Sequence, residues 1–137
     1  MPVRIVLAFL MLMTAMPVRA EWVKADKTER GFFSAFSEGT VYYIDPSTIT
    51  RNGDFRTVWE IHDLSDKGSY GERSVLALVE YDCALKRVRT LKATGRSLRM
   101  ARGEIISLRG VLDEWAVLRS GKEDEILFKI LGTVCAP

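Results

Sequence analysis

Two cysteines, one histidine, a few carboxylates and a run of arginines are the residues of this chain that could do chemistry. Cys83 lies near the end of the stretch "ALVEYDCAL", and Cys135 lies two residues from the C-terminus. A distant pair of this kind offers three chemistries: a structural disulfide, a reactive thiol, or a pair of metal ligands. Metal or redox work would call for a CxxC spacing or a cluster of histidines, and His62 is the chain's one histidine. Asp63, Glu80 and Asp82 are the carboxylates that could join it in acid–base work. At alternating strand positions these acids are expected to face solvent or to pair with nearby lysine and arginine. His62, among charged neighbours, reads as a solvated strand residue. No nucleophile elbow, phosphate-binding glycine loop or metal-ligand spacing occurs. The reading is therefore of a protein that is not an enzyme, with no catalytic residues, no metal site and no cofactor.

Binding is the better-supported chemistry. Between Ala84 and Gly103 stand seven basic residues and no acid: Lys86, Arg87, Arg89, Lys92, Arg96, Arg99 and Arg102. Such a strip attracts acidic surfaces, although lysine and arginine also serve on a solvated sheet edge to discourage edge-to-edge pairing. Phe32, Phe33 and Phe36 form a second candidate, since loop aromatics either anchor a partner or fold back onto the core. The expected partners are a protein or an acidic glycan, with a homodimer as the self-associated form; the alternative is a soluble periplasmic binding or inhibitor module with an endogenous or small-molecule partner.

The compartment follows from the N-terminus. "MPVRIVLAFLMLMTAMPVRA" carries Arg4, an apolar run from Ile5 to Ala15, and the small-residue pattern Val18-Arg19-Ala20. That is the layout of a secretory signal peptide over residues 1–20, cleaved before Glu21. The run is too short for a transmembrane span, which needs about 20 residues. Residues 21–137 are then one exported domain. Cleavage removes Arg4 and Arg19 and no acid, so the formal charge of +2 falls to zero. Neutral charge and export both argue against a nucleic-acid partner. In an oxidising compartment Cys83 and Cys135 are expected to pair.

The elements that position these residues read as a sheet followed by a helix. "TVYYI" is the first clear strand, "DPST" a turn led by Pro46, and "RNGD" a hairpin with Asn52-Gly53 as a type I′ turn. In "FRTVWEIHDL", Phe55, Thr57, Trp59 and Ile61 share one face, and Arg56, Val58, Glu60 and His62 the other. In "RSVLALVEYDC", Val75, Ala77, Val79, Tyr81 and Cys83 share a face. "KRVRTLKAT", "GEIISLRG" and "WAVLR" read as further strands. The pattern then changes period. Ser120 with Glu123 has capping-box spacing, Ile126, Leu127, Ile130, Leu131 and Val134 form an apolar stripe, and Gly132 is the expected stop. The fold class is α+β: a single antiparallel sheet, with a C-terminal helix packed on one face and tethered by Cys83–Cys135.

Several of these pieces, in this order, resemble the surface-adhesin protein E domain of proteobacteria: Trp22, "YYIDPSTITRNGD", "VWEIHDL", "ERSVLALVEYDC", Trp115 to Ser120, the helix and Cys135. The resemblance implies a sheet with the helix on its concave face, and an adhesin-like function in which host matrix proteins are bound. Two features depart from the pattern. No cysteine stands near the cleavage site to carry a lipid anchor, so a periplasmic or secreted protein is expected. The "KTERGFFSAFSEG" segment is longer than the family carries.

Overall fold

The computed structural model describes residues 20–27, 39–109, 114–119 and 125–137. Phe32, Phe33, Phe36 and the expected cap at Ser120 and Glu123 lie outside the described residues.

Among the described residues eight strands form one antiparallel sheet: β1 (Val23–Lys27), β2 (Val41–Ile44), β3 (Thr50–Asn52), β4 (Phe55–Asp63), β5 (Ser74–Asp82), β6 (Arg87–Arg96), β7 (Ile105–Arg109) and β8 (Ala116–Val117). The order is β1-β2-β4-β5-β6-β7. β2 and β3 run one after the other along β4, and β8 and β7 do the same along β6.

The break between β2 and β3 is local chemistry. Asp45 accepts from the Ser47 N–H at 3.0 Å, and Pro46 opens a single 3₁₀ turn over Pro46–Thr48. Thr48 Oγ1 donates to the Asp45 carbonyl and accepts from the Trp59 N–H, which pins the turn to β4. The β3–β4 hairpin forms where the sequence predicts it, one residue later than expected. Asn52 pairs with Phe55, so Gly53 and Asp54 are the central residues. Gly53 has φ +59, and glycine at the first central position is the requirement of a type II′ turn rather than type I′. Gly95 is required for another reason: a Cβ there would meet Ser107 Oγ at 2.0 Å, where β7 closes on β6.

The helix α1 (Glu125–Val134) covers one face of the sheet. Leu127, Ile130, Leu131 and Val134 are buried and pack into one cluster with Val58, Val79 and Tyr81. Each such side chain contributes about 1.5–3 kcal/mol by leaving water. The helix runs through Gly132 to Val134, and the Cys135 N–H continues its hydrogen bonding to the Leu131 carbonyl at 2.8 Å. Burial of Val134, which is 1% exposed, overrides the local preference of glycine to end the helix.

The Cys83–Cys135 disulfide joins the end of β5 to the end of α1, with Cα atoms 5.8 Å apart. Arg51 adds a second tie, donating to the Ala136 carbonyl at 3.1 Å. The bridge closes a loop of 52 residues, for which the chain-entropy relation gives about 4 kcal/mol.

Two tests follow. Cys135→Ser should lower the melting temperature by roughly 10–20 °C in calorimetry. A change of under about 3 °C would show that the bridge adds little. Ile130→Ala should lose about 2–5 kcal/mol in denaturant titration, as for a core isoleucine. A loss under about half a kilocalorie would mean that the helix is not docked.

Candidate functional site

The register of β4 decides where its polar residues go. Val58 pairs with Val79, Glu60 with Ala77 and His62 with Val75, while Ile44 and Tyr42 pair with Glu60 and His62 on the other side. Directly paired residues share a face, so Glu60 and His62 lie on the helix side. Both are buried, Glu60 to 1% exposure. His62 is thus not the solvated residue that its neighbours suggest.

A buried carboxylate must be hydrogen-bonded. Tyr81 Oη donates to Glu60 Oε1, and His62 Nε2 lies 2.8 Å from Oε2. The Tyr42 ring leans on the His62 ring, with centroids 4.4 Å apart. These four side chains line a cavity of about 190 Å³ between the sheet and Leu127 of α1. Burial first, and the Glu60 charge second, push the Tyr42 phenol well above its ordinary value, and the same two influences raise Tyr81.

The opposite face holds the ion pairs. Arg87 Nε meets Asp82 at 2.8 Å, and Arg89 meets Glu80 at 2.7 Å. Both guanidinium groups also lie over the Trp115 ring, at 4.5 and 4.4 Å from its centroid. Burial is the largest influence on Asp82 and pushes it up. The Leu85 N–H, the Arg87 guanidinium and the Ala84 N–H together outweigh it, holding the carboxyl below its ordinary range.

The β6–β7 connection is held just as firmly. Met100 and Ala101 adopt φ +57 and +55, a region that non-glycine residues enter only at a cost. Buried groups of the sheet fix both. Asp63 accepts from the Met100 N–H at 3.0 Å and from Arg99 at 3.2 Å. Ser74 Oγ accepts from the Ala101 N–H and donates to the Leu98 carbonyl. Leu98, Ile105 and Leu108 remain more than half exposed, and β7 ends the sheet order.

The seven basic residues therefore separate into two groups. Arg87, Arg89 and Arg99 have carboxylate partners on neighbouring elements. Lys86, Lys92 and Arg102 are exposed, and Arg96 is half-buried. Of the buried network and the anchors, His62 and Asp63 stood out in the sequence as acid–base candidates, and Glu60, Tyr81 and Ser74 did not.

Among the described residues the domain is a disulfide-stapled sheet with one docked helix, its buried carboxylates engaged by tyrosine, histidine and arginine. The sequence matches the surface-adhesin protein E family over residues 22–136, and the chain belongs to that family. Its function is accordingly adhesin-like. Among the described residues no helix is long and apolar enough to cross a membrane. No curated protein matches the sequence. The fold is that of Haemophilus influenzae protein E. The selenomethionine form matches with a TM-score of 0.60 at 16% identity, covering 86% of this chain and 88% of that one. Protein E from non-typeable Haemophilus influenzae matches with a TM-score of 0.54 at 17% identity, covering 86% and 77%.

The raised phenols set an alkaline limit. The folded protein keeps protons on Tyr42 and Tyr81 at a pH where unfolded tyrosine, with its pKa of about 10, gives them up. Their contribution is complete below about pH 10 and is lost as pH rises beyond it. The urea midpoint should hold up to about pH 10 and fall between about pH 10 and pH 12, less steeply in Tyr42→Phe. An equal fall in both proteins would remove Tyr42 from the account.

Proposed function

We propose that the protein is an exported, non-enzymatic binding module that takes a protein partner on the β6–β7 hairpin. The observation that carries this reading is the rigid display of exposed apolar residues beside exposed arginine. Leu98 and Arg102 stand on a connection anchored by Asp63 and Ser74, next to Ile105, Ile106 and Leu108 on an outer strand. An outer strand offers backbone groups for pairing with an extended segment. Exposed Arg102 favours a segment that carries acids. The family name points to matrix proteins as the class of partner. An acidic glycan is the weaker reading, because Arg87 and Arg89 already have carboxylate partners.

The non-enzymatic reading is supported by the engagement of Asp63, Glu80 and Asp82 in ion pairs with arginine. Residues 1–20 are read as a cleaved leader and 21–137 as the working domain, delivered to the periplasm or beyond. Protease treatment of intact cells distinguishes display on the surface from retention in the periplasm.

Leu108→Lys and Ile105→Lys place charge at exposed positions and should leave the melting temperature within about 2 °C of the parent. Binding to an immobilised panel of extracellular-matrix proteins should weaken at least about tenfold. Arg102→Glu should weaken it less, in a manner that shrinks as salt rises. Unchanged binding in both lysine variants would overturn the hairpin as the contact. Self-association lost in the same variants would assign the edge to a homodimer instead.

A further inference from the structure

The cavity beneath α1 is separate from the hairpin surface. Its deep wall is Tyr42, Glu60, His62 and Tyr81, its apolar wall is Val79, Val88 and Leu127, and Arg89, Thr90, Glu114, Trp115 and Ala116 are the other described residues that line it. On the outer side of β6, Arg87 and Val88 pair with β8, and the stretch from Ala93 to Arg96 pairs with β7. Arg89 and Thr90, which line the cavity, fall in the gap between the two. A void of about 190 Å³ exceeds the roughly 150 Å³ engineered cavity known to admit benzene.

The charge of this lining is one-sided. Glu60 is a carboxylate that is 1% exposed, and Glu114 is exposed. Arg89 is the one lysine or arginine among the described lining residues, and its guanidinium meets Glu80. Glu80 offsets that charge, and the same guanidinium lies over the ring of Trp115, which lines the cavity. A carboxylate has about four acceptor positions, and the hydrogen bonds from Tyr81 and His62 occupy two of those on Glu60. The rings of Tyr42, Tyr81 and His62 stand on the same face. Aromatic faces and a carboxylate within an otherwise apolar enclosure are the elements that recognise an organic cation.

We propose that this cavity is a binding site for a small alkylammonium ion, with its charged head toward Glu60 and its chain against Val79, Val88 and Leu127. A free amine and a lysine side chain of a peptide share this head group. The small volume favours the free amine.

The test uses the intact, oxidised protein and NMR titration with butylammonium, the neutral alcohol 1-pentanol, which is one methylene longer, butyrate and N-acetyl-lysine amide. Butylammonium should bind at least about tenfold more tightly than pentanol, a difference of about 1.4 kcal/mol. Shift changes should centre on the rings of Tyr42, His62 and Tyr81. Butyrate should not bind, and the lysine amide should bind more weakly than butylammonium. Glu60→Gln keeps the shape and should reduce the preference for butylammonium over pentanol to under about threefold. The proposal is overturned if wild-type protein binds pentanol as tightly as butylammonium or binds neither. It is also overturned if the shifts map elsewhere. The comparison of probes on wild-type protein decides the matter even if Glu60→Gln fails to fold. Tighter binding of the lysine amide would reassign the site to a peptide.

Discussion

The ten-residue helix α1 cannot hold its own conformation, because isolated helices shorter than about 12–15 residues are marginal in water. Its attachment to the sheet is the constraint on which the covered face, with the Glu60 network and the cavity, depends. The Cys83–Cys135 bridge fixes its last turn to the end of β5, and Leu127, Ile130, Leu131 and Val134 complete the docking. With the helix in place, one face of the sheet is interior. Glu60 can then be buried only because Tyr81 and His62 meet both of its oxygens. The cavity beside them exists because α1 roofs the sheet with Leu127 without filling the space over Tyr42 and Tyr81.

The opposite face is organised by charge instead. Asp82, Glu80 and Asp63 each meet an arginine from a neighbouring element. The first two pairs bring Arg87 and Arg89 over Trp115, and the third helps to hold Met100 in its left-handed conformation. The same acids that could have suggested catalysis are thus occupied in positioning β6 and its connection to β7. Chemistry at these carboxylates gives way to display: the groups left outward are Leu98, Arg102 and the side chains of the outer strand.

Much of this was legible in the residues. Alternation in "RSVLALVEYDC" gave the face that receives α1, and the helical stripe gave the residues that dock. Cysteine placement gave the bridge. The β4 strand was harder, since alternation separates two faces without saying which one is interior. His62 read as solvated for that reason, whereas Glu60 and His62 face the helix and are buried. The register that reveals this is set across the long β4–β5 connection, and only a short turn fixes register locally. Strand β1 did not register as a strand, because "VKADK" lacks an apolar run. The arginines of β6 looked free because their acidic partners come from β4 and β5, distant in sequence and adjacent in the sheet.

Hydrogen–deuterium exchange of the oxidised and reduced protein measures the central claim most directly, which is that the disulfide holds a dependent helix on a self-supporting sheet. On reduction, the amides of Ile126 to Val134 should lose protection by at least about tenfold, while those of β4, β5 and the β5-paired edge of β6 keep theirs. Equal loss across helix and sheet, or unchanged protection in α1, would contradict the account.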